Sequence, residues 1–341
     1  MSLTHARYPA LGLVAALTAC SGSAFTTPSA PSQAPMQQTV GGEHVLRVGS
    51  QVIRYGGSIH YSARRGWISQ ALPASIIYGA SYDGGFVNIY ALKGNNQAPV
   101  GQLTSGLVSP QGIVVDSLHQ VWVANTNAFN IEAFKRGATT PFRTLNDPNY
   151  YPISLAVDGH GTVFAANAVS TTGPPGNVTF WKKGQTNPSG TLTFSNFNTV
   201  TNIGVDARNN IYVSYVPTSG PPAVVVFKAG SSTGQQLNVL GSSLSDITFD
   251  TSKNLVMGTG SALGVWAPPY TSTPTRTIPA FGNEPTFNRS ESKVYIAYAN
   301  NSSPKIEGYN YLTGKLVDTI TNGWTSTAIP YGVAIDPPAP R

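Results

Sequence analysis

Side chains able to do acid–base or covalent chemistry are sparse in this chain. Five histidines, one cysteine and 14 acidic residues are spread over 341 positions. A general base must lie within hydrogen-bond reach of the proton it removes. His5 lies in the N-terminal segment, and His44 and His60 precede the first strong strand signal. His119 and His160 stand in tight polar turns, Asp116-Ser-Leu-His119-Gln120 and Asp158-Gly-His160-Gly161, where a solvated ring is expected. There is no zinc-type His/Cys spacing and no G-x-S-x-G elbow. Cys20, alone, has no disulfide partner within the chain. A site would have to be gathered from residues distant in sequence, so the elements that could gather them decide the matter.

Those elements repeat. A strand-like run ending in an aromatic residue recurs at Tyr90, Phe134, Trp181, Phe227, Trp266 and Tyr309, at intervals of 44, 47, 46, 39 and 43 residues. A period of about 40–50 residues with short strands predicts propeller blades. Each blade also has a first strand ending in Asp or Asn: Gly112–Asp116, Ser154–Asp158, Ile203–Asp206, Asp246–Asp250, Glu284–Asn288 and Gly332–Asp336. Short acidic and amide side chains suit the turn that follows, because they bond backbone groups two residues on. Second strands such as Val121–Ala124 and Val163–Ala166 are continuously apolar, as strands buried on both faces must be. The third-strand aromatics are therefore expected to fill the gaps between blades. Fourth strands are short, as at Arg276–Ala280.

The chain ends complete the count. The last strand, within Tyr331–Asp336, is a first strand with nothing after it, and the N-terminal repeat lacks a first strand. Joined, they make one blade. The expected fold is all-β: a six-bladed propeller of four-stranded antiparallel blades, closed by pairing the C-terminal strand with the N-terminal blade.

Ser109-Pro-Gln-Gly-Ile-Val-Val-Asp116 and Ile329-Pro-Tyr-Gly-Val-Ala-Ile-Asp336 follow a P-x-G-[IVL]-x-[VI]-D pattern. Over residues 76–336 the chain resembles the NHL and SMP-30/gluconolactonase-like propellers. That resemblance implies a blade architecture and, for the lactonase relatives, a divalent cation such as calcium held by Glu, Asn and Asp from different blades. The matching candidates here are Asn125, Asn202, Asp246 and Glu284. The streptogramin-lyase relatives use a histidine base beside a metal, and none of the five histidines stands in a channel-facing context.

The N-terminus adds a second resemblance. Residues 1–19 have a short polar start and an apolar stretch from Pro9 to Ala19, too short to span a bilayer. Leu17-Thr18-Ala19-Cys20 is similar to a bacterial lipoprotein signal, which implies cleavage before Cys20 and its lipidation. Ser21 resembles the residue found in lipoproteins sent to an outer membrane. Several acyl chains on one residue anchor stably. Residues 20–45 are rich in Ser, Thr, Pro and Gln and are expected to be a flexible tether. Residues 46–75 are expected to be an extension packed on the propeller or partly ordered, and residues 76–341 the propeller itself.

Charge excludes one class. The formal net charge is +6, but the densest basic pairs are Arg64–Arg65 and Lys182–Lys183. Nucleic-acid binding needs a concentrated patch, and none is expected. The reading favoured by sequence is a monomeric, extracytoplasmic, lipid-anchored protein of the bacterial cell envelope that binds a protein or carbohydrate without catalysis and without a cofactor. Its membrane partner would be lipid at Cys20. Recognition is expected from the irregular loops Ser170–Gly176 and Pro217–Pro222 and from Tyr82, Tyr150, Tyr151, Tyr215 and Tyr331 at strand ends. The alternatives are a metal-dependent lactonase- or lyase-like enzyme, which a cation at the channel mouth would favour, and a purely structural envelope protein.

Overall fold

Short runs of Val, Ile and aromatic residues, cut by Gly, Asn and Asp turns, favour strands over helices throughout. The computed structural model describes residues 36–40, 42–48, 51–69, 71–239, 244–270 and 273–340. Residues 1–19, Cys20 and the start of the tether lie outside the described residues. Six sheets form a propeller. Blade 2 begins with Pro110–Val115, blade 3 with Tyr150–Val157, blade 4 with Thr199–Val205, blade 5 with Ser245–Phe249 and blade 6 with Asn283–Phe287. Each of these first strands pairs antiparallel with the next, and three further strands complete a four-stranded blade. They also pack against one another around the axis, so they are the inner strands. No helix among the described residues is long and apolar enough to cross a membrane.

Blade 1 closes the ring as its two halves require. Gly332–Asp336 pairs antiparallel with Ile76–Ser81, with Gly332 opposite Ala80 and Asp336 opposite Ile76. A short fifth strand, Trp67–Ile68, pairs with Gly101–Leu103 at its outer edge. At the far end of Gly332–Asp336, the buried Asp336 carboxylate meets His119 and Arg136 of blade 2. His119, expected to be a solvated turn residue, thus ties the closing strand to its neighbour.

The repeated aromatics are buried as the spacing predicts. Trp181 joins Trp122 and Leu145 of the preceding blade in one apolar cluster. Phe227 does the same with Phe164 and Leu192, and Trp266 with Val224 and Val226. The turn residues also behave as their chemistry dictates. Asp116 Oδ1 accepts the N–H groups of Leu118 and Gln120 at 2.9 Å, and Asp206 Oδ1 those of Arg208 and Asn210.

The N-terminal segment departs from expectation. Residues 36–40 and 43–45, read above as the end of a tether, are paired strands. They belong to a three-stranded antiparallel sheet of β1 (Met36–Val40), β2 (Glu43–Val48) and β3 (Gln51–Gly56). Leu46, Val48, Ile53 and Tyr55 of this sheet share an apolar cluster with Ile153, Ala168 and Val216 of blades 3 and 4. The sheet had apolar residues to bury, and the propeller face offered matching ones.

Candidate functional site

The inner strands all begin at one face of the propeller, here the upper face, and end at the lower. Five of the six carry a register shift near their upper ends. Bulges leave backbone groups unpaired and re-aim side chains, and they are common beside functional sites. Asp246 and Glu284 sit at two of these shifts with φ of 46° and 50°, in the left-handed region.

Three of the four cation candidates meet here. Asn202, Asp246 and Glu284 occupy the upper inner strands of blades 4, 5 and 6. Their oxygens, however, follow the ring. Asn202 Oδ1 accepts the Ile247 N–H at 2.8 Å. Asp246 Oδ1 accepts the Glu284 N–H at 3.1 Å. Glu284 Oε2 accepts the Ile113 N–H of blade 2 at 3.1 Å. Each satisfies a backbone group that a bulge would otherwise orphan. These bonds engage one oxygen of each of the three side chains with backbone. Asn125 ends the second strand of blade 2, opposite Pro110, and its side chain bonds Gly106, Val108 and Asn130 there.

Glu284 reaches blade 2 across blade 1 because two glycines leave room. A Cβ on Gly332 would lie 2.8 Å from Glu284 Oε2, and one on Gly112 would lie 2.9 Å from Glu284 Oε1. These are the glycines of the two P-x-G motifs. The carboxyl borders the channel lumen yet is walled by protein. Burial holds it well above the usual carboxylate range; the Ile113 N–H opposes this, and the Asp246 charge adds to it.

The upper face is closed by β3, whose free edge is held by three side-chain amides. Asn283 bonds both the N–H and the carbonyl of Val52, at 2.9 and 2.8 Å. Gln111 does so for Arg54, at 3.0 and 3.1 Å. Asn127 does so for Gly56, at 3.0 and 3.2 Å. Alternate residues present one edge of a strand, and a carboxamide offers a donor and an acceptor side by side.

Beside this strap, ligand-type atoms of Glu43, His60 and Asp83 lie within 4.8 Å of one another. Arg54 Nη1 stands 2.8 Å from Asp83 Oδ1 and 3.4 Å from Glu43 Oε2. The guanidinium already supplies the positive charge that a divalent ion would bring. Burial raises both carboxyls above their ordinary range, and Arg54 opposes the rise.

The tyrosines expected to recognise a ligand divide. Tyr82, Tyr215 and Tyr331 are buried. Tyr82 donates to the Gly56 carbonyl at 3.0 Å, Tyr331 packs under Arg54, and Tyr215 donates to Gln236 at 3.2 Å. They seal the strap and the blade junctions, so their rings offer no face to a ligand. Tyr150 and Tyr151 are half-buried, with Tyr151 packed on Tyr55 and Phe129. The loops at 170–176 and 217–222 join second to third strands and therefore lie on this same strapped face.

Among the described residues, the lower face opens between the blades and the C-terminal Pro338, Ala339 and Pro340. A cavity of about 600 Å³ rises from it up the channel as far as Glu284 and Asn202 and extends outward between blades 4 and 5. Tyr212, Phe249 and Tyr270 form an aromatic wall there, with ring centroids 4.8–6.3 Å apart. Arg208, Lys228 and Lys253 also line the cavity, all exposed. Sequence reading passed over these residues because each looks like an ordinary turn residue. The usable signal was a basic residue in the turn after the inner strand of three successive blades, Asp206-Ala-Arg208, Asp250-Thr-Ser-Lys253 and Asn288-Arg289, of which the first two border the cavity.

No protein-family model matches the sequence, and no curated protein matches it. Solved structures match by shape. One, from a crystal structure of a nidogen/laminin complex, is 16% identical with a TM-score of 0.56, covering 76% of this chain and 98% of the other. A functionally unknown protein from Desulfotomaculum acetoxidans is 10% identical with a TM-score of 0.55, covering 78% and 99%. At these identities the likeness establishes the propeller fold alone.

Proposed function

We propose that this protein is a non-catalytic binding protein of the bacterial cell envelope, anchored by lipid at Cys20, that takes a carbohydrate in the lower end of its channel. The observation that carries this reading is the asymmetry of the channel. One end is strapped shut by β3, and the other opens into a cavity of about 600 Å³ lined by aromatic and polar side chains. Cavities of roughly 300–1,000 Å³ hold small ligands, and a wall of tyrosine and phenylalanine beside amides suits a sugar ring with its hydroxyls. The N-terminal sheet lies on the opposite face.

Two experiments test this. The full chain, solubilised in detergent, is applied to a glycan array; selective retention of a carbohydrate is expected, and its loss on substituting Tyr270→Ala. Turnover of lactones that requires added divalent cation and disappears in Glu284→Gln would replace the binding reading with an enzyme. For the anchor, Cys20→Ser should move the protein from the membrane to the soluble fraction; unchanged fractionation refutes lipidation.

A further inference from the structure

We infer that the ligand of the lower cavity is an acidic saccharide, one carrying a carboxylate or phosphate group; this rests on the carbohydrate-binding reading above. Four residues from equivalent turns of two neighbouring blades converge at the cavity. Arg208 and Lys253 follow the inner strands of blades 4 and 5, and Lys228 and Tyr270 follow their third strands. Burial raises the Tyr212 and Tyr270 phenols above their ordinary range, the Asp206 charge adds to the rise, and Arg208, close to both, opposes it. Tyr270 is fixed by donating its hydroxyl to the Lys253 carbonyl at 2.7 Å. The wall and the cations are thus held together.

None of the three cations has an ion-pair partner among the described residues. Two carboxylates, Asp206 and Asp250, also border the cavity, but they are turned into their own structure. Asp206 accepts from the Arg208 and Asn210 N–H groups, the Asn210 amide and the Tyr212 hydroxyl. Asp250 accepts from the Asn254 N–H and amide and from the Tyr311 hydroxyl. The third acid, Glu284, sits at the deep end, with burial favouring its neutral form. The exposed charged side chains at the mouth are the three cations, against two carboxylates held by neutral donors. Arg and Lys bind carboxylates and phosphates through charge-assisted hydrogen bonds, while the ring stacks on the aromatic wall.

Isothermal titration of the full chain in detergent decides this, using digalacturonate and glucose 6-phosphate against their neutral counterparts digalactose and glucose. We expect one acidic probe to bind at least about tenfold tighter than its neutral partner, which is ~1.4 kcal/mol. The preferred acid identifies the anionic group. Arg208→Gln and Lys228→Gln, both on exposed side chains, should each weaken that probe several-fold without moving the melting temperature. Raising the salt to 0.5 M should weaken it further. Equal binding of acidic and neutral probes, or charge variants without effect, overturns the inference and leaves the carbohydrate reading standing. No binding by any probe, together with an empty glycan array, overturns both.

Discussion

Asp147 sits in the turn leading into blade 3 with its side chain almost entirely enclosed. Thr179 donates to its Oδ1 at 2.9 Å, but its Oδ2 has no donor, and neither has Oδ1 of the neighbouring Asn167. A proton on Asp147 removes a charge that the enclosed site leaves without a counter-ion among the described residues. Burial accordingly pushes the carboxyl up from 3.8 to about 7, with the Thr179 and Asn167 bonds opposing. The folded state then holds a proton that the unfolded chain has released. Stability from this group is complete below about pH 4, falls as the pH rises toward 7, and is level above that. A displacement of some three pH units, at ~1.4 kcal/mol each, bounds the loss at ~4 kcal/mol. Asp147→Asn keeps the shape and removes the charge, so its stability should lack this slope. In urea denaturation followed by tryptophan fluorescence, the variant should gain ~2–4 kcal/mol on the parent between pH 4.5 and pH 7.5. Comparing the two chains at each pH cancels the other carboxyls raised by burial, such as Glu132. A difference constant within ~0.5 kcal/mol over that range refutes a neutral Asp147.

Other perturbations address the ring and the strap. Asn283→Ala orphans the Val52 N–H and carbonyl, at ~1–3 kcal/mol for each buried group; limited proteolysis should then cut within residues 36–57 well before the blades, and an unchanged cleavage pattern would count against the strap. Gly332→Ala places a methyl 2.2 Å from the Gln111 carbonyl and 2.8 Å from Glu284 Oε2. Overpacking of this kind costs ~1–3 kcal/mol, and a melting temperature equal to the parent's would show that the glycine is not needed for Glu284 to cross. Deleting residues 331–341 removes the closing strand and exposes the edge at Ile76–Ser81; aggregation on gel filtration is expected, and a folded monomer by circular dichroism would refute closure.

The blades were legible because each obeys a local rule that recurs. An aromatic every 39–47 residues fills an inter-blade gap, and an Asp at the end of each inner strand bonds the turn that follows. Closure was legible because the two ends lack complementary strands. The strap was not: Met36–Val40 reads as polar sequence, and its pairing depends on β2, whose partner β3 is held by amides 57 to 231 residues away in the chain. Asn202, Asp246 and Glu284 could be chosen by residue type and strand position. That their oxygens turn along the ring depends on bulges, which no periodicity reveals. The lower cavity escaped notice because Arg208 and Lys253 are unremarkable singly and meet only when blades 4 and 5 stand side by side.

The three amides that grip β3 impose an order of assembly. Gln111 and Asn127 belong to blade 2 and Asn283 to blade 6, on either side of the blade that the last strand completes. Until Gly332–Asp336 docks, nothing fixes their spacing to that of one extended strand. The seat of β1–β3 thus depends on ring closure, and their protection from solvent exchange reports that Gly332–Asp336 has docked. A chain truncated anywhere in its C-terminal half would carry an unseated, protease-sensitive N-terminus, marking it as unfinished from its other end.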